Sequence, residues 1–208
     1  MKKMNHRTAF FVWVILPVIA MLMVGCTTGT SKPSKFYMLS SVPESESDAS
    51  RAPESGAISV LIGPVTLPAY LDRAQVVTLT GKHELVVDEF TRWAEPLQDN
   101  FYRVLAENLS LLLNTPKIFA YDRRGTMPAD FQIIIDVTRF DSVANGDAHL
   151  TVFWQVADKR SKAPSMTRKS VLRAGASSTG TTGIVDAQNR TLTEFSGEIA
   201  AAVRSLVR

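Results

Sequence analysis

Few side chains in this 208-residue chain could do chemistry. His83 lies beside an expected hairpin turn and His149 opens an expected strand. Neither has a Cys, His or carboxylate at the spacing that lets one element hold a metal ion, so both read as solvated surface groups. Asp136 and Asp141 are separated across the end of a strand, which gives no geometric basis for a general acid–base pair. No G-x-S-x-G elbow is present. Gly175–Thr182 imitates a phosphate-binding loop, but Thr181 stands where a lysine would have to reach the β- and γ-phosphates, so it reads as a linker. What remains is Cys26, the single cysteine. If its thiol is modified, no disulfide, thiol nucleophile or Cys-based metal site is left, and stability must come from packing.

The residues before Cys26 suggest which modification. Lys2, Lys3 and Arg7 precede an apolar run from Ala9 to Val24, and the small Gly25 follows. That is the order of a secretory signal. The apolar run holds Pro17 and falls short of the roughly 20 residues a spanning helix needs. A plain signal peptide and a membrane anchor are the alternatives. Met23-Val24-Gly25-Cys26 resembles the lipobox of bacterial lipoproteins, with Met23 where leucine is usual. The resemblance implies a diacylglycerol on the Cys26 thiol and cleavage that makes Cys26 the new N-terminus. Residues 1–25 are then the signal peptide and 26–35 a lipidated tether. The tether is small and polar from Thr27 to Lys35, with a reach of at most about 30 Å. Thr27 is not the aspartate that tends to retain such proteins in the inner membrane, so the resemblance implies the periplasmic face of the outer membrane.

The formal charge of +3 belongs to the signal. Lys2, Lys3 and Arg7 supply all of it, and no acidic residue precedes Cys26, so residues 26–208 carry 20 basic and 20 acidic side chains. This balance offers no argument for nucleic acid.

Residues 36–208 read as one domain. Lys35–Ser40 is an expected short strand and Ser41–Gly56, rich in Ser, Pro and Glu, an expected loop. Ala57–Val65 reads as a strand ending in an irregular turn, and Val76–Thr80 with Glu84–Val87 as a hairpin about Gly81-Lys82. Pro96–Asn114 is the surest helix, with Leu97, Phe101, Val104, Leu105, Leu109 and Leu112 on one face. Asn108 falls within that stripe and reads as a core asparagine bonded to neighbouring backbone, or as a polar group lining a cavity. Ile118–Tyr121 is an expected short strand. Phe131–Phe140 is the strongest, with Phe131, Ile133, Ile135 and Val137 on one side. After a turn at Asn145-Gly146 come strands at His149–Ala157 and Thr167–Ala174, the second charged like an edge strand. Gly175–Gly183 reads as a flexible linker and Val185–Arg208 as a second amphipathic helix. Strands, a helix, more strands and a terminal helix predict a single layered α/β domain with a mixed sheet flanked by helices.

Two stretches stand apart from this scaffold. Gly63–Arg73 combines turn-formers with apolar anchors and holds Pro68, Tyr70, Leu71, Asp72 and Arg73. Phe90–Leu97 places Arg92, Trp93 and Glu95 just ahead of the long helix, where Arg92 is expected to pair with Asp88, Glu89 or Glu95. These eight residues are either fold-building or a partner-docking surface, since Trp and Arg are frequent interface anchors. Together the motifs G-P-V-x-L-P-x-Y-L-D-R and F-x-R-W-A-E-P-L resemble the PqiC family, auxiliary lipoproteins of ABC-type and MCE-type transport systems. The likeness runs from Phe36 to the terminal helix. It implies a fold akin to the N-terminal domain of TolB, homo-oligomeric rings, and work with a periplasm-spanning, PqiB-like MCE-domain protein that carries lipids. It implies no catalytic residues and no cofactor beyond the lipid on Cys26. A stand-alone structural envelope lipoprotein, and an auxiliary subunit of a related solvent or lipid transporter, are the alternatives.

Overall fold

One strand, β6 (Phe131–Val143), gives every other strand its place. The computed structural model describes residues 32–42, 58–81, 83–121, 127–143, 146–161 and 166–207. The expected signal peptide, Cys26, most of the tether and most of the Ser41–Gly56 loop lie outside them, as do Lys82 and Asn145. In chain order the elements are β1 (Lys35–Tyr37), β2 (Val60–Thr66), a 3-10 turn (Ala69–Leu71), β3 (Gln75–Thr80), β4 (Glu84–Trp93), α1 (Leu97–Leu113), β5 (Ile118–Ala120), β6, β7 (Ala148–Asp158), β8 (Met166–Ala174) and α2 (Gly180–Val207).

Along one edge β6 pairs antiparallel with β7, from Phe131↔Asp158 to Ser142↔Ala148. Its other edge is shared. β2 runs parallel to the first half, from Val60↔Phe131 to Thr66↔Asp136, and β3 runs parallel to the far end at Thr78↔Ser142 and Leu79↔Val143. β5 extends the sheet beyond β2, β4 beyond β3, β1 beyond the end of β4, and β8 beyond β7. The result is an open mixed sheet of eight strands among the described residues. Because β2 and β3 occupy the same edge in succession, the chain between them must leave the sheet and return. That excursion is the Leu67–Ala74 segment.

Strand periodicity builds the core. Phe131, Ile133, Ile135 and Val137 of β6 are buried on one face, and Leu150, Val152, Trp154 and Val156 of β7 lie beside them. A bulge between Val137 and Arg139 resets the alternation, so Phe140 returns to the buried face and meets Phe101 of α1 edge-to-face at 5.4 Å. A second bulge separates Ile62 and Val65 of β2, which lets both face the core across Gly63-Pro64. Gly63 is required there. Its φ is +124°, and a Cβ would stand 2.6 Å from the Cβ of Tyr121.

Both helices cover this face. α1 buries Leu97, Phe101, Val104, Leu105 and Leu109; α2 buries Val185, Leu192, Phe195, Ile199 and Val203, with Phe195 edge-to-face on Trp154. Asn108 is bonded: its Oδ1 accepts from Val42 N–H at 2.9 Å and its Nδ2 donates to Ser196 Oγ at 3.1 Å. It lines no cavity. Asn100 works in the same way, accepting from Leu39 N–H at 2.6 Å and donating to Leu39 C=O at 3.3 Å. With Asn189 of α2 accepting from Ser40 N–H, these side chains hold residues 38–42 as a strap over the helices, pinned by the buried Leu39.

Three expectations need correction. The first strand stops at Tyr37, because the backbone beyond it bonds to asparagine side chains instead of a neighbouring strand. β4 continues to Trp93, well past Val87, since its end is stitched to β3 and β1. The linker Gly175–Gly183 ends early: α2 starts at Gly180, with φ +78°, and Ser178 folds onto Gly183, where a Cβ would collide with the Ser178 carbonyl. β8 does form an outer strand, pairing only with β7 among the described strands and exposing Arg168, Lys169 and Arg173.

Candidate functional site

The two motifs meet. The Leu67–Ala74 excursion and the junction between β4 and α1 face each other across a cleft of about 660 Å³. Its lining comes from Leu67, Ala69 and Leu71–Ala74 on one side, and from Trp93–Asp99 on the other. Local chemistry explains why the walls hold their positions. Pro68 C=O accepts from Leu71 N–H at 2.9 Å and Ala69 C=O from Asp72 N–H at 3.1 Å, closing the 3-10 turn. Ala74 C=O accepts from Trp93 N–H at 2.6 Å, a backbone bond that joins one motif to the other. Gln98, in the first turn of α1, donates its Nε2 to Val65 C=O at 2.8 Å and ties the helix start to the end of β2.

The floor is apolar and sealed. Leu71, Trp93 and Leu97 are 3%, 5% and 3% exposed and belong to the main core. The rim is charged, formed by Asp72, Arg73, Glu95 and Asp99. Glu95 bonds Arg103 Nη2 at 2.6 Å. The expected pairing of Arg92 is corrected: Asp88 accepts from Thr91 Oγ1, Glu89 from Gln75 Nε2, and Glu95 goes to Arg103. Arg92 sits within β4, opposite Phe36 on one neighbour and Gln75 on the other, and does not line the cleft.

Tyr70 points elsewhere. Its hydroxyl donates to Asp141 Oδ2 at 2.9 Å, and Asp141 Oδ1 accepts from Arg139 Nε at 2.9 Å. Asp141 is 2% exposed, so this is a buried carboxylate satisfied by two donors. Burial first, and the Asp141 carboxylate second, hold the phenol well above its ordinary value, so it remains a donor. Tyr70, Arg139 and Asp141 border a separate hollow of about 300 Å³, with Leu79, His83, Leu85 and Thr138. His149, opposite Asp141 in the β6–β7 pair, is held below the ordinary histidine value by burial and then by Arg139 and Arg173.

Of the eight residues singled out in the sequence, Leu71, Asp72, Arg73, Trp93 and Glu95 line the cleft. Pro68 and Tyr70 shape the turn that forms its wall, and Arg92 stands apart. Gln98 and Asp99 were missed; their position directly after Pro96, in the first turn of a helix whose start was foreseen, was the available signal. No group of three or more His, Cys, Asp or Glu able to hold a metal occurs among the described residues, and no described helix is long and apolar enough to cross a membrane.

A mixed open sheet with two helices on one face is an architecture shared with solved structures. An uncharacterised protein superimposes with a TM-score of 0.65 at 20% identity, over 83% of this chain and 99% of that one. Protein XCC0632 from Xanthomonas campestris, of family DUF330, gives 0.60 at 18% identity, over 80% and 93%. The PelC dodecamer from Paraburkholderia phytofirmans is a weaker likeness, with a TM-score of 0.38 at 7% identity over 76% and 91%, and bears on nothing further. No curated protein matches the sequence significantly. Residues 37–200 match the family described as the ABC-type transport auxiliary lipoprotein component. The chain belongs to this PqiC-like family of transport auxiliary lipoproteins.

Proposed function

We propose that this protein is a non-enzymatic auxiliary subunit of an MCE-type lipid transport system, held at the periplasmic face of the outer membrane by a lipid on Cys26. Its folded part docks the end of a periplasm-spanning MCE-domain partner and so supports membrane integrity. One observation carries the docking role: two motifs separated by the β3–β4 hairpin converge on a single cleft with a tryptophan in its floor and charges on its rim. Trp93 fixes the floor to the core, and the exposed Arg73 is of a residue type that often anchors a protein interface. Family membership supports the transport context. Copies of the chain assemble as a ring in this reading, and the helix-free sheet face, with Phe153 and Val171 exposed, is available for contacts between them.

The test is site-specific photocrosslinking in intact envelopes, with the photoreactive residue replacing Ala94 in the cleft wall. Recovery of an MCE-domain protein is the expected result, and a photoreactive residue at Lys159, on the β7–β8 turn, should recover much less. Crosslinks to no partner, in cells that express one, would return both motifs to fold-building and favour a structural envelope lipoprotein.

A further inference from the structure

The chemistry of the cleft narrows what it receives. Its accessible apolar surface comes from Leu67, Ala69, Ala94 and Pro96, over a floor of Leu71, Trp93 and Leu97 that the core already buries, and it suits apolar side chains. Its rim is not neutral. Glu95 is already matched by Arg103, while no described residue bonds the carboxylates of Asp72 or Asp99. Both are exposed at the mouth, with Arg73 as the one unmatched cation of the lining. An acyl chain could lie against the apolar walls, but the phosphate of its headgroup would then meet two carboxylates, Asp72 and Asp99, against the single cation Arg73. Like charges brought together at a closing interface are unfavourable. A polypeptide segment can satisfy both signs, because its apolar side chains can lie against the walls while lysines or arginines face the two aspartates and a backbone carbonyl or carboxylate faces Arg73.

Building on the docking role above, we propose that the cleft takes a short basic–apolar polypeptide segment of the partner protein, with Asp72 and Asp99 as its charge readers. The apolar walls supply contact area and the two carboxylates supply selectivity and salt sensitivity.

The experiment uses the full-length lipoprotein in micelles of a neutral detergent. Two fluorescent peptides are compared by anisotropy, one of leucines interspersed with lysines and the other with every lysine replaced by glutamate. The lysine peptide should bind, more weakly as salt rises, and the glutamate peptide should not. An Asp72→Asn/Asp99→Asn variant should bind the lysine peptide roughly tenfold more weakly, as expected for the loss of two exposed charge pairs. A thermal unfolding midpoint equal to wild type shows that this variant is folded. Equal binding of both peptides, or no effect of the double substitution, would overturn the proposal. The same variant is then carried into the envelope crosslinking. If the partner is captured as by wild type, the charge reading fails while docking stands. If wild type captures no partner, docking fails, and failure of the lysine peptide to bind overturns the charge reading separately.

Discussion

Tyr70 shows how a residue can belong to a site without touching what the site binds. It lies in the turn that forms one wall of the cleft, yet its hydroxyl is spent on the buried Asp141, which also takes Arg139. The bond anchors the 3-10 turn to the end of β6. Removing it leaves a buried carboxylate with one donor fewer, and a hydrogen bond to a charged group is worth about 1.5–3 kcal/mol. Tyr70→Phe should therefore lower stability by that order, read from the midpoint of chemical denaturation. It should also reduce partner crosslinking at position 94 at temperatures where the variant is still folded. A midpoint unchanged from wild type would show that the hydroxyl anchors nothing. The motif tyrosine was legible in the sequence, whereas Asp141 stood out there only as one of two carboxylates whose spacing gives no geometric basis for an acid–base pair. Its real partners come from the 3-10 turn and from two residues earlier in its own strand, just after a bulge.

At the scale of elements, the strap over the two helices is the feature that periodicity did not reveal. Residues 38–42 have no strand partner, so their backbone groups need side-chain partners, and Asn100, Asn108 and Asn189 provide them. Asn100 is 1% exposed and satisfies both polar groups of the buried Leu39. Asn100→Ala would strand those groups at a cost of about 1–3 kcal/mol for each that stays dry. The expected result is faster hydrogen exchange at Leu39 and Val42 with little change along β6. Equal acceleration throughout the domain would mean that the strap has no independence. The stripe of α1 announced its apolar positions correctly; helical periodicity places Asn108 on the buried face but cannot say that the strap crosses there. The early start of α2 was hidden for a similar reason. Gly175–Gly183 has the composition of a linker, and only the packing of Ser178 onto Gly183 turns its last residues into helix.

For the whole molecule, the folded unit Ser34–Arg208 follows a stretch whose composition is that of an export signal, and Cys26 is its one point of lipid attachment in this reading. Two acyl chains already suffice for stable anchoring, at about 0.8 kcal/mol per buried CH₂. Cys26→Ala should move the folded protein out of the membrane fraction on sedimentation of lysed cells, with capture of the partner from envelopes falling accordingly. Retention of the variant in the washed membrane pellet would show that attachment does not depend on the thiol.

Composition and periodicity determined the apolar faces of β6, β7, α1 and α2, the outer position of β8 and the α/β class, because alternation and the 3.6-residue repeat are local consequences of burial on one side. They also exposed the two motifs as stretches with more turn-formers, aromatic and charged residues than a scaffold needs. What only the tertiary structure decided is that those motifs face each other. β2 and β3 share one edge of β6, so the chain must loop out between them, and the loop lands beside the junction of β4 and α1. That juxtaposition depends on strand order and register, and both are set by long-range pairing energies that no local pattern records.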